Sequence, residues 1–321
     1  MVLPFRATPG DRSVAVSPAT LTRAPVLGSI LDAIGHTPLL PLRLAGVPRA
    51  VELWAKCEWF NPGRSVKDRT ALSIVTEAER TGALRPGKTI VDSSSGNTAV
   101  GLALVGRARG YAVQLVLPAS VGEERRRLCR AYGATLTFTD AFSGSDGAMR
   151  HVREMVTADP EPYFYADQYR NPANPLAHYR TTGPEVWEQT DGRVTHFVAG
   201  LGTTGTLMGT GRYLRERNPR VRLVAVEPDD GLHGLEGLKH LATAIVPEIY
   251  RPDGHDERMA VATEDAYAQC LEVARSCGLL VGHSAGAAIL AARRLAGSLN
   301  DGYIVVLLPD GGERYLTPDA P

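Results

Sequence analysis

Residues 195–228 read THFVAGLGTTGTLMGTGRYLRERNPRVRLVAVEP, and this stretch decides the fold. An apolar run (195–200) leads into a glycine-rich turn and a helical segment. A second apolar run (221–228) follows. Such runs are continuous in Val, Leu and Ile rather than alternating, as in strands buried on both faces of a parallel sheet. Strand, crossover helix and strand make one βαβ unit. The rhythm continues in both directions, with strands predicted at 50–59, 89–94, 112–118, 135–140, 279–282 and 303–310. Helices are predicted at 68–82, 97–110 and 262–278. The class is α/β, built from doubly wound, mostly parallel sheets. A chain of 321 residues is long enough for two such domains. The Pro- and Asn-rich stretch YRNPANPLAHYRTTGPE (169–185) breaks the rhythm and marks a crossing between them.

Two motifs inside this frame point in several directions. Gly200-Leu201-Gly202-Thr203-Thr204-Gly205 is a G-x-G-x-x-G turn between a strand and a helix, and Glu227 ends the next strand. That context fits a dinucleotide site, with Glu227 for a ribose. The physics is broader: backbone N–H groups and the positive end of a helix dipole suit any phosphate. Gly282-His283-Ser284-Ala285-Gly286 has the form of a hydrolase nucleophile elbow. That mechanism needs a histidine after the serine, and none follows His283. Ser284 therefore reads as a polar group at the C-terminal end of strand 279–282, where doubly wound folds bind ligands.

Lys67 lies in Asn61-Pro62-Gly63-Arg64-Ser65-Val66-Lys67-Asp68-Arg69, a turn leading into a helix. A lysine at such a helix start has a depressed pKa and can act as a nucleophile; a solvated surface lysine fits the local sequence equally. Ser93-Ser94-Ser95-Gly96-Asn97-Thr98 follows a strand and opens a helix. It presents hydroxyls and backbone donors to one anion, or serves as an N-cap turn. Asp167-Gln168-Tyr169 and His178-Tyr179 are ambiguous by themselves.

The bulk properties narrow the classes. Lys plus Arg and Asp plus Glu are each 35, so no net field favours nucleic acid or an anionic membrane. Cys57, Cys129, Cys270 and Cys277 form no C-x-x-C pair, which argues against zinc or dithiol chemistry and fits a reducing, cytoplasmic setting. No apolar run approaches the ~20 residues of a membrane span. The first 27 residues show no secretory pattern and read as a poorly ordered tail.

Taken in order, these motifs carry a resemblance. Asn-Pro-Gly-x-Ser-Val-Lys-Asp-Arg (61–69), Ser-Gly-Asn-Thr (95–98), Asp-Gln-Tyr (167–169) with Asn-Pro-Ala-Asn-Pro (171–175) and His-Tyr (178–179), Thr-Thr-Gly-Pro-Glu (181–185), Gly-Thr-Thr-Gly-Thr (202–206) and Gly-x-Ser-x-Gly (282–286) follow the order of the cysteine synthase family. That family includes cystathionine β-synthase. Its members are fold-type II pyridoxal-phosphate enzymes. Ile34-Gly35-His36-Thr37-Pro38-Leu39 resembles the family's start, so the likeness runs over about residues 28–316.

The resemblance implies two doubly wound domains with pyridoxal 5'-phosphate in the cleft between them. A smaller mobile domain with the substrate loop would span 61–170; 28–60 and 171–321 would form the larger one with the phosphate loop. Lys67 would be the Schiff-base lysine and proton carrier. Gly202, Thr203, Thr204, Gly205 and Thr206 would cup the cofactor phosphate. Asn97 would meet the phenolic oxygen, and Ser284 the pyridine nitrogen. A neutral hydroxyl there weakens the electron sink, which suits β-elimination because the leaving group takes the electrons. Ser94, Ser95, Gly96, Thr98 and Gln168 would hold the substrate carboxylate. The implied reaction is β-replacement on an O-activated L-serine through an α-aminoacrylate, with sulfide or another sulfur donor giving L-cysteine. A homodimer is implied, with an amino-acid substrate, a sulfur donor that can be a carrier protein, and no nucleic-acid, membrane or metal partner.

The sequence also departs from the family. Ser94 replaces the usual Thr, and Ala99 the usual Gly. The segment Gly234-Leu235-Glu236-Gly237-Leu238-Lys239-His240, continuing to Tyr250, resembles the O-phosphoserine-using, sulfur-carrier-dependent branch more than O-acetylserine enzymes. Lys239, with His240 second, is the candidate for a leaving phosphate; a solvated loop lysine is the alternative. Competing readings are a serine/threonine dehydratase-type lyase, a β-replacement making diaminopropionate or another non-protein amino acid, an NAD-dependent dehydrogenase, and a silent homologue. The dehydrogenase explains neither Lys67 nor Ser93–Thr98, and the intact Lys67 argues against silence.

Overall fold

The computed structural model describes residues 26–94 and 96–316. In chain order its main elements are β1 (Leu39–Pro41), β2 (Val51–Cys57), α1 (Lys67–Thr81), β3 (Thr89–Ser93), α2 (Asn97–Arg109), β4 (Ala112–Pro118), α3 (Glu123–Ala131), β5 (Thr135–Thr139), α4 (Gly144–Ala158) and β6 (Tyr163–Tyr165). There follow α5 (Ala173–Arg180), α6 (Thr182–Gln189), β7 (His196–Gly200), α7 (Gly205–Arg217), β8 (Arg222–Pro228), β9 (Glu257–Val261), α8 (Thr263–Cys277), α9 (His283–Gly297) and β10 (Gly302–Leu308).

The strands form two sheets, ordered β1-β2-β10-β7-β8-β9 and β5-β4-β3-β6. Only the β1–β2 pairing is antiparallel. Alternate residues of a strand point to opposite faces. Val198, Ile304 and Val306 therefore join the core on one side of the larger sheet, and Phe197, Val305 and Leu307 the core on the other. Both faces are covered by helices, which is why these strands read as unbroken apolar runs. The smaller sheet is sandwiched in the same way: α1 and α2 share its larger core, while Ala148 and Val152 of α4 pack on Val91 and Val116. The α/β expectation with mostly parallel sheets is met.

Several expectations change. Residues 279–282 are not a strand; they contribute one bridge, Val281 to Gly311, before α9 begins at His283. The run is too short and too close to a helix start to build a ladder. Ser284 thus sits in the first turn of a helix rather than at a strand end. The Pro-rich stretch 169–185 is largely helical, forming α5 and the start of α6. Pro172 caps α5 and Pro175 lies in its first turn, where a missing N–H costs nothing. Three strands went unpredicted: β1, β6 and β9. The first two are three residues long. The last is the sheet's edge, with a mostly exposed pattern that hides its period. Residues 1–25 of the expected tail lie outside the described residues. Among the described residues no helix is long and apolar enough to cross a membrane.

Candidate active site

A cavity of about 230 Å³ opens at the C-terminal ends of β3, β7 and β10, where connecting loops and the N–H groups opening α2 and α7 are free for ligands. It lies between the two sheets: Ser93, Ser94, Gly96, Asn97 and Thr98 form one wall, and Gly200, Gly202, Thr203, Thr204 and Thr206 with Leu307 and Pro309 the other.

Lys67 is the first residue of α1 and lines this cavity. Its Nζ has no hydrogen-bond partner among the described residues. Burial pushes its pKa below the ordinary lysine range, and the charges of Asp310 and Glu58 oppose that only in part. A buried amine freed of its proton is a base and a nucleophile. The turn before it is braced: Gly63 N donates to Asp68 Oδ2 at 2.5 Å, and Val66 N to Pro309 O at 2.8 Å.

The loop before α2 supplies small polar groups. Gly96 N donates to Ser94 Oγ at 3.4 Å, and Thr98 Oγ1 to Gln168 Oε1 at 2.6 Å. Ser94, Gly96, Thr98 and Gln168 therefore meet at one place on the cavity wall. Ser95 lies outside the described residues.

On the opposite wall Gly202, Thr203, Thr204 and Thr206 face the cavity at the N-terminus of α7. Thr204 is held at φ 72°, the left-handed region that a β-branched residue avoids. Its Oγ1 is buried without a partner among the described residues. Such a hydroxyl is costly unless something accepts its hydrogen bond. Gly205 does not line the cavity. A Cβ there would stand 2.0 Å from Asn174 Oδ1, so glycine lets the loop close onto α5. Asn174 Nδ2 in turn donates to Gln168 O at 2.7 Å. The phosphate-type loop and the anion site share this support.

Ser284 is buried on the cavity wall in the first turn of α9. Lys239 also lines the cavity, with Nζ 5.0 Å from the centre of the Tyr169 ring. Burial lowers its pKa, with Asp146 opposing. His240 is not on the wall; its Nδ1 meets Thr243 Oγ1 at 3.0 Å.

The competing readings lose their residues. Glu227 accepts from Leu241 N at 3.2 Å and pairs with Arg258 at 3.1 Å, so it is not held for a ribose. His283 is packed between Tyr267 and Tyr315, at ring distances of 4.1 and 4.5 Å. Sequence reasoning did not single out Arg125, Ser145, Glu236 or Tyr315, which also line the cavity. Glu236 stands in the quoted segment 234–240 beside Lys239; Arg125, Ser145 and Tyr315 come from separate segments with no shared motif, so only the fold gathers them.

The pyridoxal-phosphate dependent enzyme family matches residues 30–310. This chain belongs to the cysteine synthase family of fold-type II pyridoxal-phosphate enzymes. It is 49% identical to a cysteine synthase of Aquifex aeolicus over 296 residues, 90% of each chain. The crystal structure of cysteine synthase from Entamoeba histolytica superimposes with a TM-score of 0.88 at 36% identity, covering 92% of this chain and 91% of the other. An O-ureido-L-serine synthase structure gives a TM-score of 0.86 at 39% identity, over 92% and 95% of the two chains. The protein is accordingly a pyridoxal-phosphate-dependent transferase. Its own residues fit that cofactor: the unpartnered Thr204 hydroxyl at a helix N-terminus suits a phosphate, and Lys67 faces it across the cavity with a free amine.

Proposed function

We propose that this enzyme replaces the side-chain oxygen substituent of an activated L-serine, preferably O-phosphoserine, with sulfur to give L-cysteine. The bound cofactor supplies the electron sink for charge developing at the substrate Cα. Thr203, Thr204 and Thr206, with the N–H groups opening α7, hold its phosphate. Asn97 meets its phenolic oxygen, and Ser284 its ring nitrogen without adding charge. Ser94, Gly96, Thr98 and Gln168 grip the substrate carboxylate and so aim its α-proton. Lys67 Nζ takes that proton and returns it after the nucleophile has added; burial lowers its pKa and so favours the neutral amine that a base needs.

One observation favours phosphate as the leaving group. Lys239 reaches the cavity wall and forms no ion pair among the described residues, so its charge is available there. An acetyl leaving group needs no such cation; a departing phosphate dianion does. The test is a direct comparison of purified holoenzyme on O-phosphoserine and O-acetylserine, with sulfide and then thiosulfate or a carrier thiocarboxylate as sulfur source. We expect a higher kcat/KM for O-phosphoserine. A higher value for O-acetylserine overturns the donor assignment, and no cysteine from either overturns the reaction.

A further inference from the structure

The segment after β10, Pro309 to Tyr315, touches three parts of the site at once. Pro309 O accepts from Val66 N, the residue before Lys67. Asp310 forms an antiparallel bridge with Ser65. Its main-chain O accepts from Gly282 N at 3.2 Å, at the entrance to the helix that carries Ser284. A Cβ on Gly282 would lie 2.1 Å from Asp310 Oδ1, so glycine there makes room for this carboxylate.

The side chains act on Asn97. Asn97 Nδ2 donates to Asp310 Oδ2 at 2.7 Å, while Arg314 Nη1 donates to Asn97 Oδ1. A carboxylate only accepts and a guanidinium only donates, so the two partners dictate which end of the amide is nitrogen. One Asn97 N–H is thereby spent, and the other remains for the cavity that Asn97 lines. Arg314 Nη2 also donates to Gly63 O at 2.5 Å, in the turn that precedes Lys67. Tyr315 Oη donates to the same Asp310 oxygen at 2.6 Å. Asp310 Oδ1 is buried with no partner among the described residues.

We propose that Asp310 is a positioning residue with two effects: it fixes the Asn97 amide toward the cofactor's phenolic oxygen, and it is the fixed counter-charge of Lys67. This inference rests on the assignment of Lys67 and Asn97 to the cofactor. The charged groups around the pair come from every side. Glu58 and His178 face Lys67 from before α1 and from α5. Arg314, Tyr315, Arg125 and Cys270 face Asp310 from its own segment, α3 and α8. Glu58 is already committed to Arg69, at 2.7 Å. Burial raises the pKa of Asp310 itself, opposed by hydrogen bonds from Tyr315 and Asn97 and by the charges of Arg314 and Lys67; once ionised, it is the carboxylate whose field most favours the Lys67 ammonium. Removing its charge drives the amine to lose its proton at lower pH.

The experiment measures uptake of pyridoxal phosphate by apoprotein, followed as growth of the visible absorbance band across a pH series. Uptake through a lysine amine needs the unprotonated form, so the pH midpoint reports Lys67. Asp310→Asn should move that midpoint down by ~0.5–1 unit. It should also weaken cofactor affinity about tenfold through the loosened Asn97 amide. Arg314→Met should weaken affinity and move the midpoint less than Asp310→Asn does, because it frees Asn97 but leaves the carboxylate itself in place. Asp310→Glu should restore most of the midpoint. An unmoved midpoint in Asp310→Asn, with a folded near-UV spectrum, overturns the inference while leaving the roles of Lys67 and Asn97 standing. Lys67→Ala serves as the reference: if it still forms the band, the underlying assignment fails and this inference with it.

Discussion

Arg69 Nη1 lies 2.6 Å from Glu185 Oε1, and Nη2 lies 2.7 Å from Oε2, a two-pronged pair that ties α1 to α6. Arg69 stands two residues after Lys67, so this pair helps fix where the helix that opens with Lys67 begins. Glu185 also accepts from Lys56 Nζ at 2.6 Å and from His36 N at 2.9 Å. Burial works against ionisation of Glu185, but Arg69 and Lys56 outweigh it and hold the carboxyl at about 2.

Breaking this buried pair from one side should be costly. Glu185→Gln leaves Arg69 and Lys56 short of a counter-charge, and we expect a loss of about 3–5 kcal/mol in denaturant unfolding. The pH dependence carries a sign. The folded pKa lies below the unfolded value of about 4.3, so the contribution is present above that pH. It is lost as pH falls from there toward about 2. The difference between wild type and Glu185→Gln should therefore shrink on acidification across that window. A constant difference would falsify the assignment.

Much of this was legible in the sequence, for a physical reason. Lys67, Asn97, Thr204 and Ser284 sit where strands or turns pass into helices, and those junctions announce themselves through Gly, Pro and hydroxyl residues. The strands were legible because both faces are buried. Asp310 and Arg125 were not, because their roles depend on distant partners: Asn97 lies 213 positions from Asp310, and Glu236 lies 111 from Arg125. No local pattern encodes such pairings. The polar edge strand β9 failed for the opposite reason, since exposure along most of its length leaves too few buried positions to show a period.

Lys239 tests the donor. If its ammonium meets a leaving phosphate, Lys239→Ala should raise KM for O-phosphoserine about tenfold or more and leave O-acetylserine nearly unchanged. The expectation follows from the desolvated setting over Tyr169, where a charge–charge contact is stronger than at the surface. Equal effects on the two donors in steady-state kinetics sink the assignment and reduce Lys239 to a packing residue.

Thr204 trades strain for binding. A threonine at φ 72° with a buried, unpartnered hydroxyl costs the empty fold on both counts. Thr204→Gly removes both. Apoprotein carrying it should be as stable as wild type, or more so by up to about 1 kcal/mol. Its affinity for pyridoxal phosphate should fall about tenfold, the loss of one hydrogen bond to a charged group. Thermal melts of apoprotein and cofactor titrations read the two effects separately. Lower apoprotein stability with unchanged affinity contradicts the trade.

Asp92 is the next-to-last residue of β3, just before the loop that leads into α2, and its environment favours the neutral acid. Burial pushes its carboxyl up to about 8, with the charge of Asp167 adding to that and hydrogen bonds from the Ser93 and Gln168 backbone opposing it. Asp92 Oδ1 accepts from Ser93 N at 2.7 Å, while Oδ2 is buried without a partner among the described residues. The folded pKa is above the unfolded value of about 3.9, so the folded state holds a proton that the unfolded chain releases. Stability should then fall as pH rises between these values, by up to about 1.4 kcal/mol per pH unit. Asp92→Asn keeps the acceptor for Ser93 and cannot charge, so its unfolding midpoint should lack this slope. The same carboxyl accepts from Ser93 N, next to the loop proposed to hold the substrate carboxylate. Above the pH where it ionises, its charge lies behind the place proposed for the substrate carboxylate. The donor KM of wild type should climb there relative to Asp92→Asn. Parallel KM profiles for the two proteins would show that Asp92 stays neutral throughout or that its charge does not reach the substrate.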